Sequence, residues 1–323
     1  MRRREFIALM GASVAWPFAA MAQEPGRTYH LGIVMPFPRD VLTVSHFFDE
    51  LGRHGFIEQQ NLTVDYRDFS SNVDLISEDA AALANAKSDV IYAGGGVAVR
   101  AVQQATKTIP ILGVADDMVG EGLVESMARP NSNTTGISIL AAELDGKRQD
   151  ILIEAVPGLR RMAALADLST LTQAKARALQ DAAGARNVDL SIYPITKGGE
   201  EIAMAVDMAR AWGATALNVF ASPMLYGNGR LIMERVALLR FPSMYQWPEM
   251  AEAGGFAAYG PRFNELPILA ARLISKLLRG TKPADLPVEQ PTQFELVINL
   301  KTAKAMGVTV PEGLLARADK VIE

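Results

Sequence analysis

Short apolar runs alternate with amphipathic segments along most of this 323-residue chain. The first run, Tyr29 to Met35, is typical of a strand buried in a parallel sheet. The segment after it carries Val44, Phe47 and Leu51 on one helical face. Strands that alternate with helices predict βαβ units with right-handed crossovers. The sequence therefore predicts an α/β protein.

The same pattern starts again near Met162, which predicts two Rossmann-like α/β lobes, each with a parallel sheet. After a strand-like segment from Phe256 to Tyr259 come a long amphipathic helix, a proline-rich link and an apolar run from Phe294 to Leu300. A chain that returns to its first lobe and then crosses back would have such a tail. We therefore expect a three-crossover hinge. The predicted first lobe is 27–137 with about 261–290, and the predicted second lobe is 138–260 with about 291–323.

The first 22 residues have the features of a signal peptide. Three arginines precede a mostly apolar stretch from Phe6 to Phe18, and Ala20-Met21-Ala22 matches a signal peptidase site. The stretch is too short to span a bilayer, which needs roughly 20 apolar residues. Arg3-Arg4 fits either a twin-arginine signal or an ordinary secretory signal. We expect the protein to work in the periplasm.

Composition and motifs argue against several classes of function. The net charge is −4 and no basic block occurs, so nucleic acid is not an expected partner. The chain has no cysteine, which excludes a thiol nucleophile and a cysteine-ligated metal. The three histidines have no metal-ligand spacing, and no G-x-S-x-G elbow is present. We expect no enzymatic activity, no cofactor and no metal.

Candidate ligand-binding residues follow from the predicted sheets, because ligands of open parallel sheets bind beyond the carboxyl ends of the strands. The residues that follow or end these strands are Pro36, Phe37, Gly94, Gly95, Asp116, Asp117, Ser169, Ser222, Gln246, Trp247 and Tyr259. Tyr245-Gln246-Trp247 is predicted to form an aromatic wall. Tyr259 is predicted to act as hinge, ligand contact or both.

Several of these residues have an alternative structural role. Phe37 can stack on a planar ligand or pack on its own lobe. Gly94-Gly95-Gly96 can offer amides at a helix N-terminus to a carboxylate or phosphate, or can simply form a tight turn. Asp116 or Asp117 can pair with an ammonium group or cap a short helix from Gly120 to Met127. Ser222 can donate to a ligand or cap a helix.

The segment from Gln290 to Ala305 resembles the C-terminal signature of a family of ABC-transporter substrate-binding proteins. This family includes the tryptophan/tyrosine-type binding proteins. Further similar segments occur in the same order along the chain; they are Gly55-Phe56-Ile57-Glu58 with Asn61, Ile109-Pro110-Ile111, Arg129-Pro130-Asn131, Gly280 to Pro287, and Leu314 to Glu323. The resemblance implies a type I periplasmic binding fold that closes on a small molecule.

The resemblance also implies partners. A membrane permease with a separate ATPase would receive the ligand, and contact with the permease would be peripheral. The leading ligand class is an amino acid or a small aromatic carboxylate. The family often has an acidic residue at the position of Gln246, so the charge of the ligand stays open. The alternatives are a sensory receptor module and an exported α/β hydrolase.

Overall fold

The structure, a computed structural model, describes residues 26–69, 73–130 and 132–323. The predicted signal peptide lies outside the described residues. The first lobe is built on a five-stranded parallel sheet in the order β2-β1-β3-β4-β5. Its elements, in chain order, are β1 (Tyr29–Met35), α1 (Leu42–Arg53), β2 (Leu62–Asp68), α2 (Ile76–Asn85), β3 (Val90–Gly94), α3 (Gly96–Ala105), β4 (Ile111–Ala115) and β5 (Thr134–Ser138).

The second lobe is built on a seven-stranded sheet in the order β12-β11-β10-β9-β8-β6-β7. Its elements are α4 (Asp145–Ala155), β6 (Arg161–Asp167), α5 (Gln173–Ala185), β7 (Asp189–Ile195), α6 (Glu200–Ala211), β8 (Ala216–Val219), α7 (Pro223–Gly227), α8 (Gly229–Leu238), β9 (Ser243–Tyr245), α9 (Pro248–Glu252) and β10 (Ala257–Gly260). The remaining elements are α10 (Leu266–Leu278), β11 (Glu295–Asn299), α11 (Leu300–Met306), α12 (Glu312–Leu315) and β12 (Lys320–Ile322).

The chain passes between the lobes three times. It leaves the first sheet after β5, and it returns after β10, when α10 packs against α1 and the first sheet. On the way back, Glu289 pairs with Ile137 of β5 before the chain enters the second sheet as β11. Both α/β lobes and the crossings match the fold class predicted from the sequence.

One strand pairing differs from the predicted parallel sheets. The tail strand β11 lies antiparallel to β10, and β12 continues parallel to β11. The difference arises because β11 enters the second sheet from the hinge end. A strand that completes a βαβ unit would enter from the opposite end.

The cores explain why the strand sequences are so apolar. Every residue of β3, β4 and β5 is buried, as expected for parallel strands covered by helices on both faces. One contiguous apolar cluster includes Phe47 and Tyr92 of the first lobe together with Trp247 and Phe263, which follow second-lobe strands. The two lobes are therefore in contact through apolar side chains.

Two local expectations are wrong. The segment from Gly120 to Met127 forms turns instead of a short helix. The Asp117 carboxylate accepts the amides of Val119 and Gly120 at 3.1 and 2.8 Å, a local alternative to helical bonding. Tyr245 is fully buried and its hydroxyl bonds to Ser243, so it belongs to the core and not to an aromatic wall.

The described helices are all short. The longest, α5 and α10, have 13 residues each, fewer than the roughly 20 that a bilayer span requires. Across residues 26–69, 73–130 and 132–323, no helix combines the length and apolarity needed to cross a membrane.

Candidate functional site

The residues selected from the sequence lie at the carboxyl edges of the two sheets. In the first lobe they follow β1, β3 and β4, and in the second lobe they follow β6, β8 and β9 or lie in β10. The βαβ connectivity requires this, because parallel strands all end on the same side of a sheet. The candidate site therefore has two halves, one from each lobe.

An aromatic cluster dominates the second-lobe half. The Trp247 ring lies edge-on to Phe263, with centroids 4.8 Å apart, and Tyr226 lies 4.3 Å from Phe263. These three rings come from the end of β9, from α7 and from the crossing after β10. They replace the predicted set Tyr245-Gln246-Trp247, and from here on the name aromatic wall refers to these three rings. Offset and edge-to-face ring contacts of this kind stabilise aromatic pairs.

The aromatic wall reaches the first lobe through Tyr226. The Tyr226 hydroxyl interacts with the side chain of Thr43, at the start of α1. Burial raises the pKa of Tyr226 to about 12, and the interaction with Thr43 opposes this rise. The phenol is therefore neutral at physiological pH and available for hydrogen bonding across the two lobes.

Three buried polar atoms near the aromatic wall have no hydrogen-bond partner among the described residues. They are Gln246 Oε1, Trp247 Nε1 and Arg148 Nη2. The Gln246 amide donates weakly to the Ser222 carbonyl at 3.4 Å. Buried polar groups are nearly always hydrogen-bonded, so unpartnered ones mark places where a polar ligand or water can bind.

The two serines of the second lobe are engaged within the chain. Ser222 is the N-cap of α7, and its hydroxyl accepts the Leu225 amide at 3.0 Å. Ser169 is exposed and donates to the Asp167 carboxylate at 2.6 Å. A ligand role for either residue stays a prediction, and for Ser222 the capping role is present.

Asp116 and Asp117 point to different partners. Both oxygens of the Asp116 carboxylate accept the Ala142 amide, at 2.9 and 3.2 Å, in the first crossing. Burial raises the pKa of Asp116, while the Ala142 amide and the Lys175 ammonium oppose the rise. Asp117 instead closes the turn after β4. Neither carboxylate is committed to an ammonium partner within its own lobe.

The glycine-rich turn after β3 is covered by a side chain of the protein itself. Gly95 has a φ of 93°, which allows the tight turn into α3. A Cβ built on Gly96 would overlap the Glu121 carboxylate, which therefore lies against the N-terminus of α3. Burial raises the pKa of Glu121, and the Asp117 amide opposes this rise. The expected place for a ligand anion holds an internal carboxylate.

The loop after β1 packs closely against the neighbouring strand end. A Cβ on Gly94 would overlap Met35 Sδ and come 3.2 Å from Pro36 Cδ, so glycine lets the end of β3 approach the end of β1 this closely. Phe37 is half-buried against the apolar cluster, and its carbonyl accepts the Tyr66 hydroxyl at 2.9 Å. Packing on its own lobe is therefore present, and ligand stacking by Phe37 stays a prediction.

Tyr259 lies beside a groove of about 710 Å³ at the second and third crossings. The groove is lined by Tyr259, Arg262, Thr292, Gln293, Phe294, Glu295, Asp319 and Lys320. Its charged groups already have partners within the chain, since Arg262 binds Glu252 and Glu295, Lys320 also binds Glu252, and Asp319 accepts the Leu296 amide. It shares only Tyr259 with the candidate residues, so we place the candidate site at the carboxyl edges instead.

Sequence reasoning missed Arg148, Tyr226, Phe263 and Glu121. Arg148 had a visible signal, because it shares the buried face of α4 with Ile151, Leu152 and Ala155. Tyr226 lies one turn after the Ser222-Pro223 helix start, a detectable capping signal. Nothing local marks Phe263 or Glu121. Among the described residues, no group of acidic and histidine side chains is arranged to hold a metal ion.

A two-lobed α/β fold with polar and aromatic groups at the carboxyl edges of both sheets is typical of proteins that bind a small molecule at these edges. The family described as "ABC transporter substrate binding protein" matches residues 37–322. The chain therefore belongs to the ABC transporter substrate-binding protein family. This is a family of solute-binding proteins, not of enzymes, whose members work outside the cytoplasmic membrane. The match confirms the family and function predicted from the sequence.

Individual relatives agree with this assignment. A tyrosine-binding protein of Clostridioides difficile is 24% identical over 265 residues, which cover 80% of this chain and 75% of the relative. The structure of a conserved domain protein from Vibrio cholerae aligns with a TM-score of 0.79 at 22% identity, over 91% of this chain and 100% of the other. The structure of an ABC domain in complex with L-Trp from Streptococcus pneumonia aligns with a TM-score of 0.78 at 21% identity, over the same shares. These structures confirm the predicted fold.

Proposed function

We propose that this protein captures an amino acid or a small aromatic carboxylate between its two lobes and delivers it to a membrane permease driven by a separate ATPase. The observation that carries the proposal is the aromatic wall. Its three rings stand at the carboxyl edge of the second sheet, and the hydroxyl of one of them, Tyr226, interacts with Thr43 of the first lobe. A planar apolar ligand body packs well against such rings.

The polar groups beside the aromatic wall suit a ligand with both donors and acceptors. Gln246 Oε1 can accept from an ammonium or hydroxyl group, and Trp247 Nε1 can donate to a carboxylate. Across the site, Asp116 contributes a carboxylate from the first lobe. The relatives named for tyrosine binding and solved with L-Trp support the same ligand class.

The remaining candidate residues complete this proposal. Pro36, Phe37, Gly94, Gly95 and Asp117 would line the first-lobe half, and Ser169, Ser222 and Tyr259 the second-lobe half. We place the lobe limits at 27–137 with about 261–290 and at 138–260 with about 291–323. The protein would be exported to the periplasm by residues 1–22, through either the twin-arginine or the ordinary secretory route.

Ligand identity can be tested directly. Small molecules released from gently purified protein would be identified by mass spectrometry, and binding would be measured by calorimetry with L-tryptophan, L-tyrosine, indole-3-acetate and L-lysine. We expect dissociation constants of about 1 μM or tighter, or about −8 kcal/mol, for at least one aromatic compound. Tight binding of L-lysine with no aromatic ligand would contradict the proposed ligand class.

A further inference from the structure

A fully buried guanidinium connects two of the three crossings. Arg148, on α4, has 0% of its surface exposed. Its Nη1 donates to the Ala141 carbonyl at 2.9 Å, in the first crossing, and its Nε donates to the Tyr259 carbonyl at 2.7 Å, just before the second. One rigid, planar group therefore connects the first crossing to the end of β10, which leads into the second crossing.

The guanidinium is in turn held by a buried carboxylate. Asp145 Oδ1 accepts from Arg148 Nη1 at 2.6 Å and from the Ala221 amide at 3.1 Å. Its Oδ2 binds the Lys175 ammonium at 2.7 Å. Ala221 precedes Ser222, whose carbonyl accepts a hydrogen bond from the side-chain amide of Gln246. The ionic group thus extends from the crossings to the loop that supports the aromatic wall.

The second crossing passes through a narrow gap beside this group. A Cβ on Gly260 would overlap the Gln246 carbonyl and lie 3.6 Å from Arg148 Nη2. Glycine is therefore required where the crossing passes between Arg148 and the residue that precedes Trp247. A shift of the crossing toward Gln246 would therefore displace Gln246, and the adjacent Trp247 with it.

Stability alone does not account for this arrangement. Burial lowers the pKa of Arg148, and the Asp145 carboxylate only partly offsets this effect. Burying an ion pair is often no better for stability than well-packed apolar residues. The pair does, however, fix geometry, and here it fixes two crossings and one site loop at once.

We infer that Arg148 is the positioning residue of the hinge, which holds the first and second crossings in register and so sets the position of the aromatic wall relative to the first lobe. This inference rests on the proposed capture of a ligand between the lobes. The Lys175 ammonium, which interacts with both Asp145 and the first-lobe residue Asp116, extends the same control across the two lobes.

The absence of native cysteine allows a test that needs no ligand. Spin labels on Leu42→Cys and Leu168→Cys, exposed positions in the first and second lobes, report the distance between lobes by pulsed electron resonance. In the ligand-free protein, Arg148→Lys should at least double the width of this distance distribution. Lysine keeps the charge but cannot bridge both carbonyls. Labels on Leu168→Cys and Leu238→Cys, both in the second lobe, should give an unchanged distribution.

The control variant is Arg161→Met. Arg161 also donates to a carbonyl, that of Trp212 at 3.0 Å, but it lies at the start of β6, the end of the sheet opposite the crossings, so its variant should keep the wild-type distribution. A purely structural role for Arg148 would lower the melting temperature without changing the interlobe distances, and that result would overturn the inference. If Arg148→Lys does not fold, the Lys175→Met variant is used to test the inference by the same distance measurement. It should broaden the distribution less than twofold, and an unchanged width would overturn the inference.

Discussion

The carboxyl edges of the two sheets differ in how their polar groups are used. On the first-lobe edge, Asp116, Asp117 and Glu121 lie against amides and turns of that lobe or the adjoining crossing. On the second-lobe edge, Gln246 and Trp247 keep unpartnered polar atoms beside packed aromatic rings. On this basis we propose that the second lobe supplies most of the ligand contacts, while the first lobe closes over them.

The largest expected effect is that of Trp247→Ala. Removing the central ring of the aromatic wall should weaken binding of the cognate ligand about 100-fold, or about 3 kcal/mol, as measured by calorimetry. The same change leaves a cavity in the ligand-free protein, which we expect to stay folded but less stable by about 3 kcal/mol or more.

A second tryptophan provides the control for that experiment. Trp212 is the C-cap of α6 and stacks with Arg161 at the amino end of β6, the end opposite the carboxyl edge. Trp212→Ala should therefore leave the affinity unchanged. If Trp247→Ala binds the ligand as tightly as wild type does, Trp247 is not part of the site. The second lobe would then not be the main source of ligand contacts.

Gln246→Met should separate stability from binding. The buried Gln246 Oε1 has no partner among the described residues, a situation that costs about 1–3 kcal/mol. Methionine removes that cost, so the ligand-free protein should melt at a higher temperature. The affinity should fall about tenfold, or about 1.4 kcal/mol, because the ligand loses an acceptor.

Gln149 is a closely matched control. It is also fully buried, donates one bond to the Leu179 carbonyl at 3.0 Å, and has an unpartnered Oε1, but it lies between α4 and α5. Gln149→Met should raise stability by a similar amount without any change in affinity. Equal affinities for the two variants would show that Gln246 has no special role in binding.

A contrast between strand ends and side-chain partners explains which parts of the site can be predicted from the sequence. Strand ends follow from local apolar patterns, so Asp116, Gln246 and Trp247 could be assigned to the sheet edges directly. What a side chain does there depends on partners far along the chain. Asp116 bonds to Ala142, 26 residues away, and Glu121 reaches the start of α3, 25 residues earlier.

Prediction from the sequence is limited in the same way, and more strongly, at the hinge formed by the three crossings. The three crossings were predictable because the tail fits neither lobe alone. The register between the crossings depends on Arg148, which contacts Tyr259 across 111 residues of sequence. A buried arginine on an apolar helical face signals an unusual role, but periodicity cannot identify its partner.

Tyr226→Phe should have a moderate effect, mostly on dissociation. The hydroxyl interacts with Thr43 of the first lobe, and a neutral hydrogen bond contributes about 0.5–1.5 kcal/mol. We expect ligand dissociation to be about fivefold faster in stopped-flow measurements, with little change in association. Thr43→Val should reproduce the effect, and the double variant should add nothing further. Additive effects would mean that the two side chains do not act together.

Asp116→Asn should affect stability more than binding. Burial raises the pKa of Asp116, so the folded protein binds its proton more tightly than the unfolded chain does. Folding is therefore disfavoured as the pH rises through the pKa of the folded state. The variant should melt at a higher temperature than wild type at pH 7, and the difference should shrink as the pH falls and vanish near about pH 2.5, where both states hold the proton.

The smallest effect is expected for Gly96→Ala, which tests whether the first-lobe edge is passive. The new Cβ would overlap the Glu121 carboxylate, the end of a flexible side chain that can move aside. Alanine also favours helix over glycine by about 1 kcal/mol, so the free energy of unfolding should change by no more than about that amount. The affinity should change less than twofold. Gly94→Ala, which would overlap the buried Met35 side chain, should be more destabilising. If Gly96→Ala instead weakens binding tenfold, Glu121 orients the ligand, and the first lobe contributes to recognition as much as the second.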